Sequence, residues 1–561
     1  MKKHKLRVGL LLDGYNIAAW SRKMIENIIQ CDYADIVLVI INDNNRNNLN
    51  ERYTSNLIDD YWKVAALLFR KVLEYVYTTF IERHTTFLPN ADMKVHSEAL
   101  LTILPTIHTR TISKEYEQYF DNDDILQIRD HKIDILVKLG FGILGGEILR
   151  SAKYGIWSFH HGDKCINRRG PFGFWESMES WPETGSILEI LTEDSDNGKV
   201  LYKSFSCTYN MSVQDNRSNC MWKSLSFMTR TMQELYNTGE KEFFKKVEYM
   251  NRHPVLHSER LYSKPTNYEL AKLTFRQLKE RGRFLYENKY YLKQWILMYH
   301  LKDELSSSLW RYKKIIPPKD RDWADPHVIY TENKYYIFIE EYMYKSQKGH
   351  IAVLTMDEDG AYGEPEIVLD RPYHISYPFI FAYGNEYYMI PESMSNQCIE
   401  LYKCVEFPRK WEFQMNLMEN VRAVDATILY HKQKWWMFAN MVENEGASSG
   451  DELFLFSSSN LFSNKWLSHP LNPIVSDCKR SRPAGKIFSV NGILYRPSQN
   501  CSTRYGYGFN IAEITSLDEN NYSEVLVSRV TPKWDINIIG THTYNHVNCL
   551  HIIDAIYKRP K

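Results

Sequence analysis

The sequence predicts a multidomain chain: a doubly wound α/β domain followed by an all-β, five-bladed propeller. Three observations carry this reading. At 561 residues the chain is too long for a single hydrophobic core. Its first third alternates continuous apolar strands with helical patterns, as a parallel sheet covered on both faces requires. Its last part holds five mutually similar hairpin segments, with no helical pattern between them, spaced roughly 50–60 residues apart, about the length of a four-stranded blade.

Taken in order, "LRVGLLLDG" reads as a buried strand, and "NIAAWSRKMIENIIQ" as a helix with Asn16 as its cap. "DIVLVIIND" is a second buried strand, followed by an Asn-rich loop. "IDILVKLGFG" is a further strand, "GGEILRSAKY" a short helix and "GIWSFHHGD" another strand. These elements place the α/β domain in residues 1–215. Residues 216–288 are charged and helical, which suits a connector. The propeller takes 289–561, on the repeats "ADPHVIYTENKYYIFIEEY", "SYPFIFAYGNEYYMIPES", "VDATILYHKQKWWMFAN", "SRPAGKIFSVNGILYRPSQ" and "GTHTYNHVNCLHIIDAIYK". Each starts with a polar or small pair, enters a short apolar strand, and turns tightly into an aromatic-rich second strand.

Composition excludes several partners. Lysine plus arginine and aspartate plus glutamate both number 69, so no global basic field exists to hold nucleic acid. The nine cysteines include no CxxC pair, which points to reduced thiols and no metal site. Asp13 interrupts the first apolar run too early for a signal-peptide core. No run approaches the roughly 18 apolar residues of a membrane span, so a cytoplasmic protein is expected. With 39 tyrosines and 14 tryptophans, the chain suits β-rich packing and sugar-facing surfaces alike. A homo-oligomer is compatible with this composition.

Two stretches carry candidate chemistry in the first domain. Gly140, Gly142 and Gly145 form a GxGxxG between a strand and a helix, with Asp163 near the spacing of a ribose ligand. A dinucleotide fingerprint normally occupies the first βα turn, however, which here is "LDGYNIAAW"; the glycines alternatively serve close helix–sheet packing. The second stretch is "GIWSFHHGDKCINRRGPFGFWE", residues 155–176, in which adjacent histidines end a strand ahead of an Arg-Arg-Gly turn.

Together with "TGSILEILTEDSDNGKVL", these residues resemble the catalytic domain of folate-dependent formyltransferases over about the first 215 positions. The resemblance implies an Asn-x-His motif with a distant aspartate. His160 matches the histidine, Asp196 the aspartate, and Ser158 stands where the family has asparagine; His161 is a second candidate for the histidine. It further implies that Leu139, Gly140, Phe141, Gly142 and Ile143 receive the pterin of 10-formyltetrahydrofolate, the donor. An imidazole would stabilise the tetrahedral oxyanion and a carboxylate would orient it or take the proton. Arg168 and Arg169 are candidates to meet a substrate phosphate.

The propeller segments resemble the N-terminal domain of plant glucosamine inositolphosphorylceramide transferases and, more distantly, five-bladed arabinanase-type glycosidases. Inner strand starts crowd around a propeller axis, so Asp325, Tyr377, Asp425, Arg482 and His542 are expected to converge on one pocket. The arabinanase resemblance implies a base at Asp325 and an auxiliary aspartate at Asp425, with Arg482 at the acid position; Glu392 or Glu341 would have to supply a proton. The expected reading is a formyl (acyl) transferase acting on the amine of a nucleotide-linked amino sugar in surface-polysaccharide assembly, with a glycan-binding or glycan-processing propeller. The alternatives are a degenerate sugar-binding protein and a glycosidase acting from the propeller.

Overall fold

The computed structural model describes residues 4–46, 57–114, 116–194, 197–256 and 258–561. The chain divides into two compact units, residues 1–281 with 443–447, and residues 282–442 with 448–561.

The first unit is built on a seven-stranded sheet. Within it, Leu6–Leu12 is flanked in parallel by Ala34–Asn42 and then Thr106–Thr109 on one side, and by Ile135–Lys138, the central strand, and Ile156–His161 on the other. The antiparallel strands Glu183–Ile190 and Lys199–Cys207 complete the second edge. Strand alternation sends Val8, Leu10 and Leu12 to one face, where they meet Met24, Ile25 and Ile28 of the helix Ala19–Gln30 and Leu225, Phe227 and Met228 of the helix Val213–Thr238. Leu11, Leu38, Ile40 and Leu136 face the other way, against Ile125, Ile128, Ile148 and Leu149. Helices therefore cover both faces, and the helix opening the 216–288 segment is a packed layer of this unit.

Asn16 does not cap the first helix. Asn16–Ala18 instead forms a short strand paired with Lys94–His96, and the Asn16 side chain bonds to the His96 ring at 3.0 Å. The helix begins at Ala19 with no side-chain cap, because pairing has already taken the asparagine.

The second unit is the five-bladed propeller. Four blades follow one another: Arg321–Thr331 to Glu366–Leu369, Ser376–Tyr383 to Lys410–Glu419, Ala423–His431 to Val475–Ser476, and Phe488–Val490 to Tyr522–Val530. The fifth is closed by both ends of the unit. Tyr291–Leu301 pairs antiparallel with Leu550–Pro560 along its whole length, so the last strand locks the ring. The first hairpin of each consecutive blade turns on two residues. These are Glu332 and Asn333, Gly384 and Asn385, Lys432 and Gln433, and Asn491 and Gly492, all at positive φ. Such turns match the right-handed twist of the strands they join. They explain the polar pair inside each repeat.

Large side chains weld neighbouring blades. Phe338 of the first blade is fully buried and meets Trp411 of the second edge-on, at 5.7 Å between ring centres. Phe338→Ala should cost about 3–5 kcal/mol through lost burial and the cavity left behind. Hydrogen-exchange mass spectrometry is the readout, with the strands of the first two blades losing protection before the other three.

Candidate functional site

The strongest site lies where the inner strands of the propeller begin. Asp325, Tyr377 and Asp425 all have left-handed backbone, with φ of 51°, 41° and 54°. At each one the strand pairing slips, between Ala324 and His327, Ser376 and Phe379, and Val424 and Thr427. Left-handed backbone costs a residue with a Cβ about 1–3 kcal/mol and persists only where the surroundings impose it. A bulge of this kind re-aims one side chain out of the strand's alternation. The same device therefore recurs in three successive blades.

The residues so aimed are linked through backbone groups and the hydroxyls of neighbouring threonines, with Arg482 bonded to Asp425 and His542 beside Asp325. Asp325 Oδ1 accepts from Thr543 Oγ1 at 2.8 Å, and its Oδ2 from the Tyr377 backbone N–H at 3.3 Å. His542 Nε2 stands 3.7 Å from Asp325, while its Nδ1 is 2.6 Å from Asp554. Asp554 also accepts from the backbone N–H groups of Asp325, His542 and Thr543. Arg482 grips Asp425 with two nitrogens, at 2.6 and 3.2 Å, and Gln499 Nε2 donates to the same carboxylate at 2.8 Å. The Tyr377 hydroxyl bonds Thr427 Oγ1 at 2.8 Å and accepts from the Gly485 N–H at 2.9 Å. All five expected axial residues belong to this network.

Aromatic rings bound the site. Trp295 stacks on His542 at 4.1 Å, and Tyr505 stands edge-on to the same imidazole at 5.2 Å. The Arg482 guanidinium lies 4.8 Å from the centre of the Tyr505 ring. Tyr505 nevertheless keeps 48% of its surface exposed, so the charged network opens beside an accessible aromatic face.

Sequence repeats locate a further layer that inspection of the strand starts misses. Ala324, Ser376 and Val424 pair with Glu340, Glu392 and Asn440, one from the second strand of each blade. Glu392 Oε1 accepts from the Met394 N–H at 2.8 Å, and Oε2 from Ser376 Oγ at 3.0 Å. Glu340 is 3.6 Å from His374 Nε2. Glu341, the neighbouring proton-donor candidate, points into its own blade. It accepts from Arg321, Trp323 and His350, which hold its carboxyl down at about 2 against the cost of burial. Glu341 is thus a fixed anion and no acid. Superposing the second strands ("IFIE", "YMIPE", "MFAN") as well as the first would have found Glu340.

Burial dominates the electrostatics. It pushes Asp325 upward despite the opposing His542 charge, with Asp425 and Asp554 adding to the rise. Glu340 is held well above the usual carboxylate range by burial and by Asp325, Glu392, Asp322 and Asp425. Burial also lifts Glu392 to about 7 against the Met394 N–H, with Asp425 reinforcing the shift. Burial opposes charge on His542, but Asp554 and Asp325 outweigh it, so its pKa rises while that of Asp554 falls. The site therefore combines carboxyl groups biased toward the protonated form, Glu340 and Glu392, with an Asp554 carboxylate and a His542 imidazole biased toward their charged forms. Asp325, His542 and Asp554 present ligand atoms within 4.8 Å of one another, a set able to hold a cation only where His542 has given up its proton.

In the first unit, Ile143, Ser158, His160, Arg168 and Arg169 line a cavity of about 190 Å³ with Lys138 and Glu189. His160 Nε2 stands 3.0 Å from the Asn167 carbonyl oxygen. His161 is not part of this cavity. Its ring is enclosed by Trp20, Phe159 and Phe172, burial lowers its pKa to about 3, and neither ring nitrogen has a hydrogen-bond partner among the described residues. Asp196 lies outside the described residues. The glycine loop is occupied by the protein itself. Phe141 N–H donates to Asp13 at 2.8 Å and Gly142 N–H to Gln118 at 2.7 Å, while Ile143 and Leu144 pair with Glu117 and Gln118. A Cβ on Gly140 would stand 2.4 Å from the Asp13 backbone nitrogen, and Phe141 is buried against Phe120. The loop's amides are thus taken by Asp13 and Gln118 and are not left for a pterin. Leu139, whose own amide bonds the Leu11 carbonyl, is held in the same way.

Comparison with known proteins adds the following. Residues 320–554 match the family described as glucosamine inositolphosphorylceramide transferase 1, N-terminal. The glucosamine inositolphosphorylceramide transferase 1 of Oryza sativa subsp. japonica is 32% identical over 208 residues, which is 36% of this chain and 28% of that protein. Its namesake from Arabidopsis thaliana is 33% identical over 208 residues, 36% of this chain and 27% of the relative. The chain thus spans little more than a quarter of these relatives' length. Among solved structures, the family 117 glycoside hydrolase Zg3597 of Zobellia galactanivorans aligns with 47% of this chain and 90% of its own, at 12% identity and a TM-score of 0.32. An exo-1,5-alpha-L-arabinanase from a bovine ruminal metagenomic library covers 43% of this chain and 94% of its own, at 15% identity and a TM-score of 0.30.

These findings overturn the expected reaction. The relatives are named for glucosamine inositolphosphorylceramide transfer, not one-carbon transfer, so a formyl transferase using 10-formyltetrahydrofolate in surface-polysaccharide assembly is not supported. The filled glycine loop agrees with that correction. What stands is a propeller resembling the N-terminal region of a transferase. No described helix is long and apolar enough to cross a membrane.

Two outcomes test this geometry. Glu392 has a folded-state pKa of about 7 against an ordinary 4.5, so the folded chain holds a proton that the unfolded chain releases between these values. Stability therefore falls as pH rises through that window, by up to about 1.4 kcal/mol per pH unit for each such group. Glu392→Gln should flatten the curve, read by chemical denaturation at a series of pH values; an unaltered slope would rule the assignment out. His161→Phe should leave the fold intact with equal or higher stability in the same assay, because the imidazole nitrogens make no bond that phenylalanine would lose.

Proposed function

We propose that this chain serves a sugar-transfer reaction and that its propeller holds the sugar partner at the axial site. The observation carrying this reading is the recurrence of one strained, bulged position in three blades, each aiming a polar side chain at a common centre. Strain repeated in this way marks a surface built for a ligand more than one built for stability. Polyols are recognised by carboxylates and amides that bond hydroxyl groups, beside an aromatic face that covers the ring's C–H groups. Asp325, Glu392, Gln499 and the exposed Tyr505 supply both. An excess of carboxylates disfavours a phosphate at the axis itself.

Transfer is favoured over hydrolysis by two supports. The relatives that the propeller resembles are named transferases. Arg482, bound to Asp425 by two hydrogen bonds, stands where a glycosidase of the arabinanase type would need its proton donor. In the first unit, Lys138, Arg168 and Arg169 line one cavity with Ser158 and His160. That concentration of cations supports a subsidiary role for the cavity, holding the phosphate of a nucleotide-linked sugar.

Saturation-transfer NMR of the full chain with glucose, glucosamine and myo-inositol tests the propeller reading. Saturable transfer to ring protons is expected, and Tyr505→Ala should weaken it about tenfold or more, as loss of an aromatic platform does. Absence of saturable binding by every sugar would overturn the reading.

A further inference from the structure

We propose that the outward row of the helix Asn267–Tyr290 docks on a membrane surface carrying anionic phospholipid, its aromatic rings seated at headgroup level and its cations on the lipid phosphates. The axial site uses no part of this helix, and the inference is independent of the sugar-binding reading above.

The first argument is the pattern. Tyr268, Lys272, Phe275, Lys279, Arg283 and Tyr286 follow one another at steps of three or four residues, which sets them on one face of the helix. All are exposed, Tyr268 by 76%, Phe275 by 72% and Tyr286 by 57%. Leu270, Leu273, Thr274 and Gln277 lie about half a turn away and are buried. Leu273 packs with Tyr77 and Trp175, and Gln277 Nε2 donates to the Ser177 carbonyl at 3.1 Å. The helix is thus held by one side, and the aromatic row on the other is left in water. Apolar ring surface left there gains free energy when a partner covers it.

The second argument is charge. The row holds three cations and no acid. Lys272 and Lys279 have no ion-pair partner among the described residues, and Arg283 meets Glu287 at 3.4 Å on the flank of the row. Glu287 is itself held by Lys293 and Lys558, and Glu269 by Thr266 and Arg260. Open cations beside exposed rings complement a surface that is negative outside and apolar just beneath. Tyrosine rings favour that boundary, and lysine stems lie along apolar surface while their ammonium groups stay among the headgroups. A second copy of the chain fits the row poorly, because two identical rows facing across a two-fold axis oppose like charges. Single-stranded nucleic acid fits poorly too. Tyr268, Phe275 and Tyr286 stand 7 and 11 residues apart, roughly 10 and 16 Å along a helix, whereas successive bases stack on adjacent rings. A neighbouring helix, Leu57–Phe80, adds apolar area. Asn267 Nδ2 donates to the Ala66 carbonyl and Arg70 to the Pro265 carbonyl, both at 2.9 Å. Beyond that junction Leu68, Val72 and Tyr75 form another row, each more than half exposed.

Co-sedimentation of the full chain with phosphatidylcholine vesicles, with and without phosphatidylserine, provides the test. Phosphatidylserine should strengthen binding about tenfold or more, and added salt should reverse the gain. Lys272→Gln combined with Lys279→Gln should weaken binding to the anionic vesicles roughly twentyfold, about fivefold for each cation removed. Phe275→Gln should weaken it as well, while thermal unfolding of every variant matches the parent, because these side chains lie outside the core. Equal binding to the two vesicle types, binding to neither, or binding untouched in the double variant overturns the proposal. A dimer that Phe275→Gln disperses in analytical ultracentrifugation overturns it in favour of a second copy. Displacement of the vesicles by a single-stranded oligonucleotide overturns it in favour of nucleic acid. Should the double variant fail to fold, the parent still decides: binding to anionic vesicles that salt does not release overturns the assignment.

Discussion

The propeller's chemistry depends on one backbone constraint: the left-handed residue at the head of an inner strand. A regular strand would send Asp325, Tyr377 and Asp425 alternately toward neighbouring sheets. The bulge at each turns the side chain toward the axis and leaves its backbone N–H or carbonyl free for a partner in the next blade. Tyr377 N–H bonds Asp325, and Asp325 N–H bonds Asp554, so blades are stitched at the site where they are strained. The conformational cost is offset by these buried bonds.

Charge placement follows from that geometry. Once acidic groups are brought together out of water, each must be paired, protonated or tied down by amide donors. All three solutions occur within one site. Asp425 is paired by Arg482, Asp554 by His542 and three backbone amides, while Glu340 and Glu392 are pushed toward the protonated form. A site arranged this way presents both donors and acceptors, with more acidic than basic groups. Its aromatic border adds a face for the apolar side of a sugar ring.

The first unit shows the opposite use of similar ingredients. Its glycine loop follows a central strand, as a ligand-binding turn would. Yet Asp13 and Gln118 have taken the loop amides, and a short strand covers them. Adjacent histidines likewise split by strand alternation: His160 reaches a cavity and His161 is shut among aromatic rings. A motif supplies donors, but only the fold decides whether they remain available.

The sequence alone determined the two architectures, because hydrophobic periodicity and repeat length are local properties that do not depend on what packs against them. It also determined the convergence of Asp325, Tyr377, Asp425, Arg482 and His542, since equivalent positions in a closed ring must share an axis. Tertiary structure alone decided how each acid is held. Glu340 and Glu341 are neighbours in the chain and differ only in the face they take, yet one is held by Arg321, Trp323 and His350 while the other meets the axis. It alone brought in Asp554 and Tyr505, which lie outside the repeated strand starts, and it alone showed the glycine loop filled. Pairing, burial and occupancy arise between residues distant in sequence, and no local pattern records them.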